Sequence, residues 1–248
     1  MRKIRGVLFD KDDTLLDLAT FWLEPVRHTV DFILHECSHT DNDNLRHALE
    51  IACGFDGTAL IPESPVVAGT NADVIRACMD VLSAENIATL DASLFSRLAE
   101  TYLEFACLRD GTCQPTGDLA FVLDALHDAG IHTGVATSDS FASTTHALGK
   151  LGIADKIDCV LTADRVARPK PAPDMAMVFC ARCGLTPEEV AMVGDSANDM
   201  RFARNAGLTA IYLDRTGAAN IDCDAKLVLE GDYRIQRIED VVALLPNL

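Results

Sequence analysis

Short apolar runs rich in β-branched residues alternate with helical patterns along the second half of this chain, and that alternation restricts the fold more than any other feature. The runs IRGVLFD (4–10), IHTGVATSD (131–139), DCVLT (158–162), VAMVGD (190–195) and LTAIYL (208–213) are the candidate strands. Around the later four lie the helical patterns 118–130, 141–152, 172–184 and 197–207, each closing on a glycine suited to a helix C-terminus. Strand, helix, strand at this spacing implies βαβ units and a parallel sheet with helices on both faces. VLF and VAMV are apolar at successive positions, as a strand buried on both sides must be. The expected class is α/β, with a Rossmann-like core.

The first run stands apart from the others. From 18 to 113 the texture is mainly helical, clearest at 22–37, 72–83 and 92–108. Apolar residues at 22, 23, 26, 30, 33, 34 and 37 make a helical stripe. The expected organisation is a core of residues 1–17 and 114–248, with 18–113 inserted as a helical domain. The Gly/Pro-rich stretch 54–73 reads as a loop inside that insert.

Charge poses the functional question. Asp10, Asp12, Asp13 and Asp17 fall within eight residues at the end of an apolar strand, where their mutual repulsion calls for a cation. The formal net charge of −17 argues against non-specific binding to nucleic acid or an anionic membrane. An anionic substrate remains open, because a metal and a few aimed cations reverse the sign locally. In open parallel sheets ligands bind at the carboxyl ends of the strands. Those ends and the connection after 162 collect Asp10, Asp12, Asp195 and Asp199, together with Lys170, Thr137 and Ser138. Oxygen ligands without a partnering His or Cys suit a hard cation such as Mg²⁺. A helix start with free N–H groups and a hydroxyl suits a phosphate.

Nine cysteines without a regular framework read as free thiols, and no segment approaches the roughly 18 apolar residues of a membrane span. The N-terminus has no apolar stretch long enough for a signal peptide, so a cytoplasmic protein is expected.

DKDDT at 10–14, the Thr137 end of GVAT, Lys170 in RPKPAPD and GDSAND at 194–199 resemble, in order, the four motifs of the haloacid dehalogenase superfamily. The resemblance covers about 1–16 and 115–248, and the helical insert sits where that family carries a C1-type cap. Asp13 stands where many members have Gly. The resemblance implies an aspartyl-phosphate mechanism: Asp10 as nucleophile, Asp12 as acid and base, and Lys170 paired with Asp10 and the phosphoryl oxygens. It further implies that Thr137, with Ser138 beside it, holds phosphate. Mg²⁺ would be held by Asp10, Asp195 and the Asp12 carbonyl, with Asp199 orienting that shell. Asp13 and Asp17 read as loop or helix-start acids.

The second Asp of the motif favours phosphate over carbon–halogen chemistry. The absence of lysine between Lys11 and Lys150 removes a Schiff-base phosphonatase. The run 170–207 resembles the phosphoglycolate phosphatase branch, which makes 2-phosphoglycolate the leading substrate. Sugar phosphates, nucleotides and a phosphomutase outcome are the alternatives. Arg27, Arg46, Arg76, Arg97 and Arg109 are the insert's cations, and Arg46 and Arg76 are the candidates for a substrate carboxylate. The partner implied is a small phosphorylated metabolite.

Two rival motifs compete. HECSH (35–39) matches the H-E-x-x-H zinc peptidase pattern, with Glu36 as base. It lacks a third ligand, and the apolar stripe points Cys37 inward, so His35 and His39 read as exposed residues at a helix end. CARC (180–183) lacks a second pair and closes a helix, so its cysteines read as buried thiols.

Overall fold

In the computed structural model, the described residues are 3–87, 93, 96–102, 113–215 and 232–245. The chain divides into two compact units, Met1–Asp17 with Gln114–Leu248, and Leu18–Cys113.

The first unit is built on β1 (Gly6–Phe9), and the inserted unit follows it in the chain. That unit contains α1 (Leu18–Glu36), α2 (Asp43–Cys53), the short strands β2 (Phe55–Asp56) and β3 (Ala59–Leu60), α3 (Pro65–Ala68) and α4 (Asn71–Ala84). The core resumes with α5 (Leu119–Asp128), β4 (His132–Thr137), α6 (Phe141–Lys150), β5 (Cys159–Thr162) and α7 (Asp174–Cys183). It continues through β6 (Val190–Gly194), α8 (Ala197–Ala206), β7 (Thr209–Leu213), β8 (Tyr233–Ile235) and α9 (Asp240–Leu244).

Six strands form one sheet in the order β5-β4-β1-β6-β7-β8, parallel at every pairing. The α/β class expected from the alternation is therefore correct. Alternate residues of β1 enter different cores. Val7 and Phe9 pack on the side carrying Leu119, Val122 and Leu126 of α5 and Val241 of α9. Leu8 packs with Met175 and Phe179 of α7 and Met200 and Phe202 of α8. Burial on both faces is why VLF is continuous rather than alternating.

Glycine keeps one helix close to the sheet. A Cβ on Gly134 of β4 would stand 2.8 Å from Cε2 of Phe179 and 2.9 Å from Cδ2 of Leu8. The bare strand backbone thus provides the floor on which the Phe179 ring rests.

Several details differ from the sequence expectation. The stretch 54–73 is not wholly loop: it holds the β2–β3 pair, α3 and the start of α4. The helix over 43–53 was not expected; Asn42 caps it, its side chain accepting from the Leu45 N–H at 3.0 Å. β8 and α9 were also missed, being only three and five residues long. Of the pattern 92–108, residues 96–102 are helical and the C-terminal part lies outside the described residues.

The packing around Gly134 yields a stability prediction. Phe179→Ala should cost about 3–5 kcal/mol by leaving a cavity, and Gly134→Ala about 1–3 kcal/mol by overpacking. Urea denaturation measures both; an unchanged midpoint for Gly134→Ala would show that helix and strand have room to part.

Candidate active site

β1 lies between β4 and β6. The residues following these three neighbouring strands therefore emerge together, at the crevice where chain direction across the sheet reverses. Asp10 follows β1, Thr137 ends β4, and Asp195 follows β6.

Carboxylate oxygens of Asp10, Asp195 and Asp199 lie within 4.8 Å of one another, the one acidic cluster of this kind among the described residues. Lys170 enters from the connection between β5 and α7. Its buried Nζ donates to Asp10 Oδ1 at 2.5 Å and Asp199 Oδ1 at 2.6 Å. Burial pulls the Lys170 ammonium toward neutrality, but the two carboxylates outweigh it and raise its pKa. Asp10 is pushed up to about 7, chiefly by burial; Lys170 opposes the shift, while Asp199 and Asp12 add to it. Asp195 is raised as well, by desolvation first and then by repulsion from Asp199, Asp10 and Asp13.

Asp199 is placed by its own helix. It sits at the third position of α8 in a capping box with Ser196. Its Oδ2 accepts from the Ser196 hydroxyl at 2.5 Å and the Ser196 N–H at 3.2 Å. With Lys170 on Oδ1, both oxygens already have donors. A Cβ on Gly194 would overlap the Asp199 carboxylate, so the strand must end in glycine for this acid to pack behind it. Thr14, fully buried, donates to Asp195 Oδ1 at 3.2 Å.

A second lysine completes the arrangement, and sequence reasoning assigned it no role. Lys11 is completely buried. Its Nζ lies 2.7 Å from Asp12 Oδ1 and 3.1 Å from Asp139 Oδ2. Burial would lower its pKa, yet Asp12 and Asp139 together raise it. The available signal was the run FDKDDT itself, because a lysine leaving an apolar strand between two acids must find a partner.

The β4 end differs from expectation in one respect. Thr137 is buried and Ser138 half-buried. The Thr137 hydroxyl accepts from the Asp139 N–H at 3.1 Å. The start of α6 was expected to offer free N–H groups. Instead, the Ser140 N–H donates to Asp139 Oδ1 at 2.6 Å, and that of Phe141 to Asp164 Oδ1 at 3.0 Å. The Ser143 N–H is capped by the Ser140 hydroxyl at 3.3 Å. Several donors of this helix start are therefore committed to protein acceptors.

Asp13 adopts φ 54, a left-handed conformation that Gly takes freely and Asp tolerates. That explains how an acid substitutes where many haloacid dehalogenase members carry glycine. Arg215, after β7, reaches Asp13 Oδ1 at 3.1 Å and Asp17 Oδ2 at 3.5 Å. Arg215 thus ties both acids to the loop after β1.

The rival motifs lack the required geometry. α1 ends at Glu36 and Ser38 has φ 57, so His35 and His39 do not lie one turn apart on a helix. Glu36 pairs with Arg97 at 2.5 Å. Cys180 is buried and Cys183 half-buried at the end of α7. In the insert, Arg46 pairs with Asp31 at 2.5 Å, Arg76 with Asp73, and Arg27 with Glu24 at 3.5 Å. Arg109 lies outside the described residues.

The family follows from comparison. The model of haloacid dehalogenase-like hydrolases matches residues 4–207. A phosphoglycolate phosphatase of Salmonella paratyphi A is 30% identical over 220 residues, covering 86% of this chain and 82% of that protein. Pyrophosphatase PpaX of Bacillus velezensis is 26% identical over 243 residues, covering 97% and 96% respectively. The crystal structure of a predicted phosphoglycolate phosphatase from Haemophilus somnus superposes with a TM-score of 0.69 at 19% identity, over 98% of this chain and 99% of that one. This chain belongs to the haloacid dehalogenase-like hydrolases. It is phosphoglycolate phosphatase-like in sequence.

An all-oxygen donor set, with two carboxyls raised by burial and mutual repulsion, fits a hard divalent cation. Mg²⁺ should raise the melting temperature of the wild type. Asp195→Asn should remove most of that shift, and His35→Ala should leave it intact; thermal denaturation with and without EDTA reads all three. A Zn²⁺-specific shift that disappears in His35→Ala would reverse the assignment.

Proposed function

We propose that this protein is a Mg²⁺-dependent phosphatase that hydrolyses small phosphomonoesters through a phosphoryl group carried on Asp10. The observation that carries the proposal is the convergence of Asp10, Asp195, Asp199 and Lys170 at the ends of β1 and β6.

Lys170 occupies Oδ1 of Asp10, so Oδ2 is the oxygen for attack on phosphorus. As the new O–P bond forms, the ester O–P bond breaks and Asp12 gives its proton to the departing oxygen. The same Asp12 then takes a proton from water as that water attacks the phosphoryl group, and the acyl phosphate releases inorganic phosphate and Asp10. Thr137 and Ser138 at the β4 end, with Lys170, would hold phosphoryl oxygens. Asp10, Asp195 and the Asp12 carbonyl would hold the cation, with Asp199 orienting them through Ser196 and Lys170. When bound, Mg²⁺ supplies the positive charge that lets an anionic nucleophile meet an anionic phosphoryl group.

The helical insert would act as a cap that restricts access to compact substrates. The name of the Salmonella relative supports 2-phosphoglycolate as the first substrate to test. The PpaX relative supports inorganic pyrophosphate as the second.

Asp10→Asn should abolish turnover while the fold persists. Asp12→Asn should be severely impaired, by about 10²–10⁴-fold if it removes general acid–base catalysis, with p-nitrophenyl phosphate rescuing only the first step. Phosphate release with Mg²⁺ or EDTA, over a panel including 2-phosphoglycolate, pyrophosphate, a sugar phosphate and a nucleotide, checks these outcomes. Near wild-type turnover by Asp10→Asn would defeat the mechanism. Equal rates for 2-phosphoglycolate and neutral-alcohol phosphates, unaffected by Arg46→Ala or Arg76→Ala, would defeat the substrate assignment alone.

A further inference from the structure

Lys11 presents a problem that folding alone does not resolve. An ammonium taken out of water costs several kcal/mol even after relaxation, and a well-packed apolar side chain of similar volume is often as stabilising or more so. Yet Lys11 lies fully buried beside the proposed nucleophile, between Asp12 Oδ1 at 2.7 Å and Asp139 Oδ2 at 3.1 Å. With no exposed surface, its side chain is not placed to touch substrate. It acts through its neighbours.

Those neighbours belong to two different strand ends. Asp12 follows β1. Asp139 follows β4, where its N–H donates to the Thr137 hydroxyl and its Oδ1 accepts from the Ser140 N–H. Lys11 therefore joins the proposed acid and base to the loop proposed to hold phosphate. The two lysines also divide the work. Lys170 takes Asp10 and Asp199, and Lys11 takes Asp12 and Asp139.

From this geometry, and resting on the phosphatase reading above, we infer that Lys11 is a positioning residue for Asp12. Anchored by Asp139, it holds Oδ1 so that Oδ2 is the oxygen presented to the leaving group. An Asp12 carboxyl lacking this anchor would rotate and spend less time aimed at the departing oxygen. The consequence for the first step is specific to leaving groups: an alkoxide requires the proton, whereas p-nitrophenolate departs without it. Water attack on the phosphoryl group is common to both substrates, so kcat/KM, which extends only to formation of the phosphorylated Asp10, isolates that first step.

The test compares kcat and KM for 2-phosphoglycolate (or another alkyl phosphate that the wild type hydrolyses) with those for p-nitrophenyl phosphate, with Mg²⁺ saturating. Lys11→Met should lower kcat/KM on the alkyl substrate at least about 100-fold, the lower range of general-acid contributions. On p-nitrophenyl phosphate the loss should be at least tenfold smaller. Lys11→Arg should recover part of the alkyl rate. Lys11→Met alone leaves Asp139 as a buried anion and so threatens folding. The double variant Lys11→Met/Asp139→Asn removes that charge and should show the same leaving-group selectivity. Equal losses of kcat/KM on both substrates in the folded double variant, or an unchanged alkyl kcat/KM, would overturn the inference. Failure of the phosphatase reading is distinct: the wild type, or Asp10→Asn alone, would then reveal it through absent or persistent phosphate release.

Discussion

Two buried ammonium groups make it possible for this sheet to end in acids. Asp10, Asp12, Asp139, Asp195 and Asp199 gather where three adjacent strands stop, and unit charges at such distances repel strongly outside bulk water. Lys170 and Lys11 each bridge two of these carboxylates. Negative charge nevertheless remains in excess. The upward pKa shifts of Asp10 and Asp195 reflect burial first and that excess second, and the excess fits an oxygen-only cluster to a divalent cation. A chain with a formal net charge of −17 thus places two of its 21 lysines and arginines, both buried, among these acids.

The sheet topology provides that place. β1 runs at the centre, with β4 and β6 on either side, all pointing the same way. Acids separated by 185 residues in sequence, Asp10 and Asp195, become near neighbours because their strands are in direct register, Phe9 opposite Val193. Local devices then aim individual groups. The Ser196–Asp199 capping box and the bare Gly194 set one carboxylate, and the left-handed Asp13 turns the chain after β1.

Much of this was legible because it depends on local rules. Apolar runs of strand length, helical periodicity and terminal glycines located the elements of the core within one or two residues in most cases. Elements that depend on partners were harder to see. β8 has three residues and gains its strand character by pairing with β7. α2 begins within TDNDN (40–44), which reads equally well as a helix end until Asn42 is seen capping Leu45. The β4 end shows the same limit: a Ser beside a helix start suggests free N–H donors, but Asp139 and Asp164 arrive to occupy them.

The α/β class and the family resemblance were readable from residue order, because hydrophobic periodicity and motif spacing are properties of the chain itself. Lys11 was visible as a letter but not as a participant. Its importance arises when Asp139, 128 positions away, closes on the same ammonium, and a charge is judged by what surrounds it after folding. Likewise, which lysine serves which acid is a matter of distances between strand ends. Packing sets those distances, because burial leaves each charged group only the partners that the sheet brings within reach.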